Sequence, residues 1–161
     1  MERAVALLQD YDHHADIFRP AVTGSKLLSR EGDTYRVWLR FYMKKVIAVT
    51  VNSEHQAHFT RAGSDRAYSR LVSTRIAEVD RAGSPQEAEK PVGHDSGFIW
   101  RLNSYWRFLE RDGGTYVQCE SITLSRRIPL GFRWLIGPFV TGIPRESLTF
   151  MLGTTRKALM P

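Results

Sequence analysis

The sequence predicts an α+β domain in which an antiparallel sheet packs against one C-terminal helix. Three observations carry this. The middle of the chain alternates apolar and polar residues at a period of two, in stretches separated by turn signals. The C-terminal stretch carries an apolar stripe at helical spacing. The N-terminal stretch reads as two short helices. A sheet with one apolar face and a helix with one apolar stripe each need cover, and each supplies it to the other.

In chain order, "ERAVALLQ" predicts a helix over Glu2 to Gln9 and the next helical piece runs from about His14 to Phe18, ended by Pro20. Asp12 and Asp16 read as helix caps, whose carboxylates accept from the free N–H groups of the next turn. "VTGSKLLS", Val22 to Ser29, is a short first strand closed by the turn "REGD". "TYRVWLRFY" sets Tyr35, Val37, Leu39 and Phe41 against Thr34, Arg36, Arg40 and Tyr42. After Lys44-Lys45, "VIAVTVNSEHQAHF" returns as its hairpin partner, and "RAYSRLVSTRIAEV" is a further strand with weaker alternation. Asp80 to Gly97, rich in Gly, Pro and charge, predicts a long exposed loop. "GFIWRLNSYWRFLE" and "TYVQCESITLSRRI" form a hairpin around "RDGG", a turn that Asp-Gly favours. "FRWLIGPFV" predicts one or two helical turns. Pro144 then suits the first turn of a helix of about four turns, with Leu148, Met151, Leu152, Thr155 and Leu159 on its apolar side.

With 161 residues, 42% of them hydrophobic and 25% charged, the composition is that of one globular domain. No apolar run approaches the ~18 residues of a membrane span. The net charge is +6 and the pI about 9.8, with 18 arginines among the 23 basic residues. That excess favours anionic partners such as acidic lipid head groups. The arginines are spread along the strands, so nucleic acid is not the expected partner. Cys119 stands alone, without a disulfide or CxxC partner. No signal peptide opens the sequence, and the cytoplasm is the default expectation.

"LLQDYDHHADIFRPAV" near the start and "NSYWRFLERDGGTYVQCE" ahead of the terminal helix, in this order of elements, resemble the START-like or SRPBCC superfamily. Its members include lipid-transfer domains, coenzyme Q-binding proteins and polyketide cyclases. The resemblance implies a helix grip, a curved antiparallel sheet wrapped around a long C-terminal helix with two short N-terminal helices, as a single domain over residues 1–161. It also implies a hydrophobic cavity between sheet and helix. Members usually begin with a strand ahead of the first short helix, for which Met1-Glu2-Arg3 leave no room. A sheet edge left uncovered would be open to pairing, and a homodimer through it is expected.

The acid- and histidine-rich "DYDHHAD" does not read as a metal site, because adjacent His13 and His14 cannot readily turn both rings to one ion. Glu54, His55 and His58 read as surface positions. Arg40, Arg70 and Arg75 also read as surface residues, although any of them facing a cavity would anchor a ligand carboxylate or phosphate. The hairpin is more informative. A two- or four-residue turn makes paired positions sum to an odd number, so Trp106 and Phe108 share a face with Val117, Cys119, Ser121 and Thr123. Large aromatics beside small side chains leave volume, unless Leu148, Met151 and Leu152 plug it. The expected ligand-binding set is Trp100, Trp106, Phe108, Cys119, Ser121, Leu148, Met151 and Leu152, with no metal, no cofactor and no catalytic residue. "FRWLIGPFVTGIP" reads as a core-packed helix start, with a lid over the cavity mouth as the other reading.

The function expected is to bind or carry a hydrophobic or amphipathic small molecule, such as a lipid, quinone or polyketide-like compound. One alternative is a cyclase- or hydrolase-like enzyme using a cavity carboxylate, Glu120 or Glu54, as general acid or base. Another is a basic interaction module for RNA or a protein assembly. Contact with an anionic membrane surface is compatible with the first.

Overall fold

In the computed structural model of the chain, residues 1–44, 48–96, 99–125 and 133–160 are described, the stretch 133–141 and residue 143 by their backbone alone. Helix α1 (Glu2–Gln9) buries Ala4, Val5 and Leu8, the spacing of one helical face. A 3-10 turn (Tyr11–His13) leads directly into α2 (His14–Ile17), which buries His14. Asp12 and Asp16 do not act as the expected caps, since neither short helix has a side-chain cap. Asp12 lies within the tight turn and faces the sheet instead, where its Oδ1 accepts from the Leu27 backbone N–H at 2.8 Å. Ser25 Oγ accepts from the Ala15 N–H at 2.8 Å. These two bonds lay the helical joint along the edge of the first strand.

The strands are β1 (Val22–Glu31), β2 (Thr34–Lys44), β3 (Ala48–Arg61), β4 (Arg66–Asp80), β5 (Ala88–Glu89), β6 (Arg101–Arg111) and β7 (Gly114–Leu124). They form one antiparallel sheet in the order β1-β2-β3-β4-β6-β7, with β5 added alongside β4. β2 keeps the predicted alternation, with Tyr35, Val37 and Leu39 buried and Arg36 exposed between them. On β1, Gly24 leaves room for Trp38, because a Cβ there would meet that ring at 2.9 Å. The weak alternation of β4 has a cause: Glu54 pairs with Arg75 but His55 with Ser73, so Thr74 is an extra residue. A bulge of this kind reverses which parity faces inward. Ser69 and Leu71 before it and Ile76 after it therefore lie on the helix side.

The β6–β7 turn has two residues, Asp112 and Gly113, with φ of 55° and 71°. Both are left-handed, as the tight hairpin turn of this length requires. Trp106 consequently pairs with Cys119 and Ser104 with Ser121.

Two expectations need correction. The Asp80–Gly97 segment is not a free loop, because β5 within it lies over the outer face of the sheet. Arg40 forms a bidentate pair with Glu87 at 2.7 and 2.8 Å, and Arg75 and Asn52 both bond Glu89. The C-terminal helix α3 is also longer than predicted. It runs over Arg133–Leu159, 27 residues, with Pro138 and Pro144 inside it and not at a start. Packing along the sheet and against α1 and α2 holds it as one element.

Two buried clusters form the interior. The larger gathers Leu8, Tyr11, Phe18, Tyr35, Phe59 and Trp106 where the short helices meet the sheet. The smaller is Val49, Val51 and Ile76, with Met43, Ile99 and Leu102 against it. β7 has no strand on its outer side among the described residues.

Candidate functional site

Between the two clusters lies a cavity of about 180 Å³, bounded by the helix-facing side of the sheet and by α3. Leu39, Phe41, Val51 and Ile76 reach it from β2, β3 and β4, because they occupy the inward parity of those strands. β6 and β7 contribute Leu102, Ser104, Trp106, Cys119, Ser121 and Thr123. Pro144, Ser147, Leu148 and Met151 of α3 close the other side. Leu8, Tyr11 and His14 stand at the end nearest the short helices. The walls are mainly apolar, with single hydroxyls set among them.

Of the expected set, Trp106, Cys119, Ser121, Leu148 and Met151 line this cavity. Three residues lie elsewhere. Trp100 precedes the start of β6, is 42% exposed, and has the Arg101 guanidinium over its ring. Phe108 is buried one pair further along the hairpin, opposite Val117 and Ala67, in solid core. Leu152 packs against the larger cluster. Ring size and parity alone do not tell where along a strand the packing opens.

The carboxylates and cations weighed from the sequence are outside. Glu54 faces the outer side and pairs with Arg36 at 3.6 Å, and Glu120 is exposed on β7. Arg40 and Arg75 serve the β5 strap, and Arg70 is exposed. Among the described residues, no Asp, Glu, Lys or Arg side chain lines the cavity. None form a group able to hold a metal ion. Residue 132 and the side chains of 133–141 and 143, which include most of the expected helix start or lid, lie outside the described residues.

Two histidines differ from their sequence reading. His13 is exposed and pairs with Asp10 at 2.7 Å, which raises its pKa. His14 beside it is buried, its ring 4.6 Å from Tyr11 and edge-on to Phe18 at 5.2 Å. Burial takes its pKa down to about 4, so it is neutral at physiological pH. His55, expected on the surface, is 1% exposed on the inward side of β3, and burial lowers its pKa to about 4 as well. Its Nε2 bonds Ser53 Oγ at 2.8 Å, and that hydroxyl donates in turn to the Leu39 carbonyl. The Ser53 oxygen therefore accepts, and the His55 proton belongs on Nε2. Burial also pushes the Cys119 thiol up to about 12, so it lines the cavity as an unreactive apolar group. Sequence reasoning missed His14, Tyr11 and Ser104. Ser104 was within reach, since it sums with Ser121 to the same odd number as Trp106 with Cys119.

A curved sheet around a terminal helix, with a hollow between them, recurs in solved proteins. TTHA0849 from Thermus thermophilus superposes with a TM-score of 0.65 at 18% identity, covering 97% of this chain and 86% of that one. A STAR-related lipid transfer protein fragment from Xanthomonas axonopodis gives 0.61 at 18% identity, over 96% and 78% of the two chains. The fold is the START-like helix grip. The Zhui aromatase/cyclase from Streptomyces sp. R1128 shares it, with a TM-score of 0.56 at 12% identity over 94% and 81% of the chains. No family model matches the chain, and no curated protein matches it. The likeness is thus one of START-like architecture, and the walls of the hollow are this chain's own.

Proposed function

We propose that the protein binds or carries a hydrophobic or amphipathic small molecule in the hollow between sheet and α3. The observation that carries this is the break in the core: an apolar-walled cavity of about 180 Å³ separates two clusters that would otherwise be continuous. Interiors normally pack without such space, and an empty one forfeits contact energy. A guest regains it, at ~25 cal/mol for each Å² of apolar surface removed from water. Trp106, Leu148 and Met151 supply most of the proposed contact surface, with Cys119 and Ser121 on the opposing wall. A lipid, a quinone and a polyketide-like compound all suit such walls, and two neighbours of the same fold bear the names of a lipid transfer protein and an aromatase/cyclase. An acid–base enzyme built on Glu54 or Glu120 is not taken up, since both carboxylates face outward.

Two partners belong to this reading. Contact with an anionic membrane surface draws on the +6 charge. Pairing with a second copy uses the outer side of β7, a strand with no lysine or proline and the single charge of Glu120. An antiparallel pair centred on Cys119 sets Tyr116 opposite Ile122 and Gln118 opposite Glu120, so it is self-complementary.

The test is native mass spectrometry of protein purified from its own host, with titration of an apolar fluorescent probe into delipidated protein. A co-purifying apolar molecule and saturable one-to-one probe uptake are expected. Absence of both, in protein shown to be folded, removes the reading.

A further inference from the structure

We propose that the cavity selects an uncharged guest bearing a hydroxyl, whose O–H is donated to Nε2 of His14. This rests on the ligand-binding reading above and names the class of ligand.

Every polar group that the described residues bring to the cavity is neutral. The hydroxyls come from Ser53, Ser69, Ser104, Ser121, Thr123 and Ser147, spread over β3, β4, β6, β7 and α3. No cation stands among them to compensate a buried carboxylate or phosphate, and an unpaired anion is strongly disfavoured in such a place. Fatty acids and phosphorylated lipids are therefore poor guests.

His14 supplies the specific feature. The side chain lies at the wall beside Leu8 and Tyr11, is 6% exposed, and its Nε2 is buried without any hydrogen-bond partner. The backbone carbonyls of Leu7 and Leu8 act on the same ring as acceptors. They place the proton on Nδ1, the nitrogen that is not orphaned, and leave a lone pair on Nε2. A carboxylate offers that lone pair nothing but repulsion, and an ether or a hydrocarbon leaves it unsatisfied. An alcohol or phenol satisfies it. Tyr11 and Phe18 hold the ring from two sides, so the acceptor is fixed before the guest arrives. Ser104 and Ser121, directly paired across the hairpin, offer donors and acceptors to a second oxygen on the same guest.

The experiment is displacement of N-phenyl-1-naphthylamine at neutral pH by decan-1-ol, 1-methoxydecane and decanoate. These share a chain and differ only in offering an O–H, no O–H, or a negative charge. For the wild type, decanol is expected to displace at least about tenfold better than the ether, with decanoate weaker still. In His14→Phe the alcohol should fall to the level of the ether, whose own affinity is retained. His14→Gln, which restores an acceptor, should recover part of the preference. Should His14→Phe not fold, the wild-type ¹⁵N spectrum decides: Nε2 of the neutral imidazole must shift on adding decanol and stay in place with the ether. Equal binding of alcohol and ether, tighter binding of decanoate, or an unmoved Nε2 signal overturns the proposal. If none of the three binds, the ligand-binding reading fails with it.

Discussion

Neighbouring His13 and His14 show how little a residue's type says without its surroundings. One is exposed beside Asp10 and holds its proton more firmly than usual, while the other is buried among rings and gives it up. Consequences for stability follow from the buried ones. His14 and His55 have folded pKa values near 4 against an ordinary 6.5. Between those values the unfolded chain binds protons that the folded chain refuses, so stability is complete above pH ~6.5 and falls as pH drops toward 4. At ~1.4 kcal/mol per unit, each histidine accounts for roughly 3 kcal/mol across that window. The urea midpoint should decline steeply from pH 7 to pH 4.5, and His55→Leu should flatten part of the slope. A midpoint that stays level over this range contradicts the burial of both neutral rings.

At the scale of elements, the two edges of the sheet are treated differently. β1 is covered: Asp12 and Ser25 bind the helical joint along it, which leaves few free backbone groups. β7 carries an open ladder over 11 residues with Tyr116, Ile122 and Leu124 exposed beside it. Edges of this length and polarity are usually shielded by charge, proline or a bulge. Sedimentation equilibrium at micromolar concentration should find a dimer. Tyr116→Lys combined with Ile122→Lys, which sets like charges opposite each other in the pair, should make it monomeric without loss of fold. A wild-type monomer at high concentration would rule out β7 pairing. α3 shows the limit of local rules in the same way. Its two prolines argue for separate short helices, yet packing against the sheet and the N-terminal helices keeps 27 residues in one helix.

For the whole molecule, the hollow sets stability against binding. Ser104 and Ser121 face each other across the β6–β7 hairpin and leave space where larger side chains would fill it. Replacing both with leucine should raise the unfolding free energy by about 1–2 kcal/mol, since filled volume is worth ~24 cal/mol per Å³. The same variant should lose probe uptake. Lower stability with undiminished uptake would show that the space near these serines is not the binding volume. The +6 charge is largely tied down at the same scale. Arg36, Arg40, Arg61 and Arg75 each pair with a glutamate, so little of the arginine excess gathers into one face.

Much of the fold was legible because it follows from local periodicity. Alternation in β2, the odd-sum register of β6 and β7, and the face of α1 each depend on residues within one element or one turn. Trp106, Cys119, Ser121, Leu148 and Met151 could be placed toward a common interior for that reason. Register does not reveal where close packing stops, and this is why Phe108 and Leu152 fell in solid core and Trp100 outside the sheet. The buried state of His14 and His55, the Thr74 bulge and the strap of Glu87 and Glu89 depend on partners far apart in the chain. By itself the sequence determined the elements, their order and the side of each that turns inward. Only the tertiary structure decided that the inward sides leave a neutral, hydroxyl-dotted hollow, because empty volume is a property of how elements meet and not of any one of them.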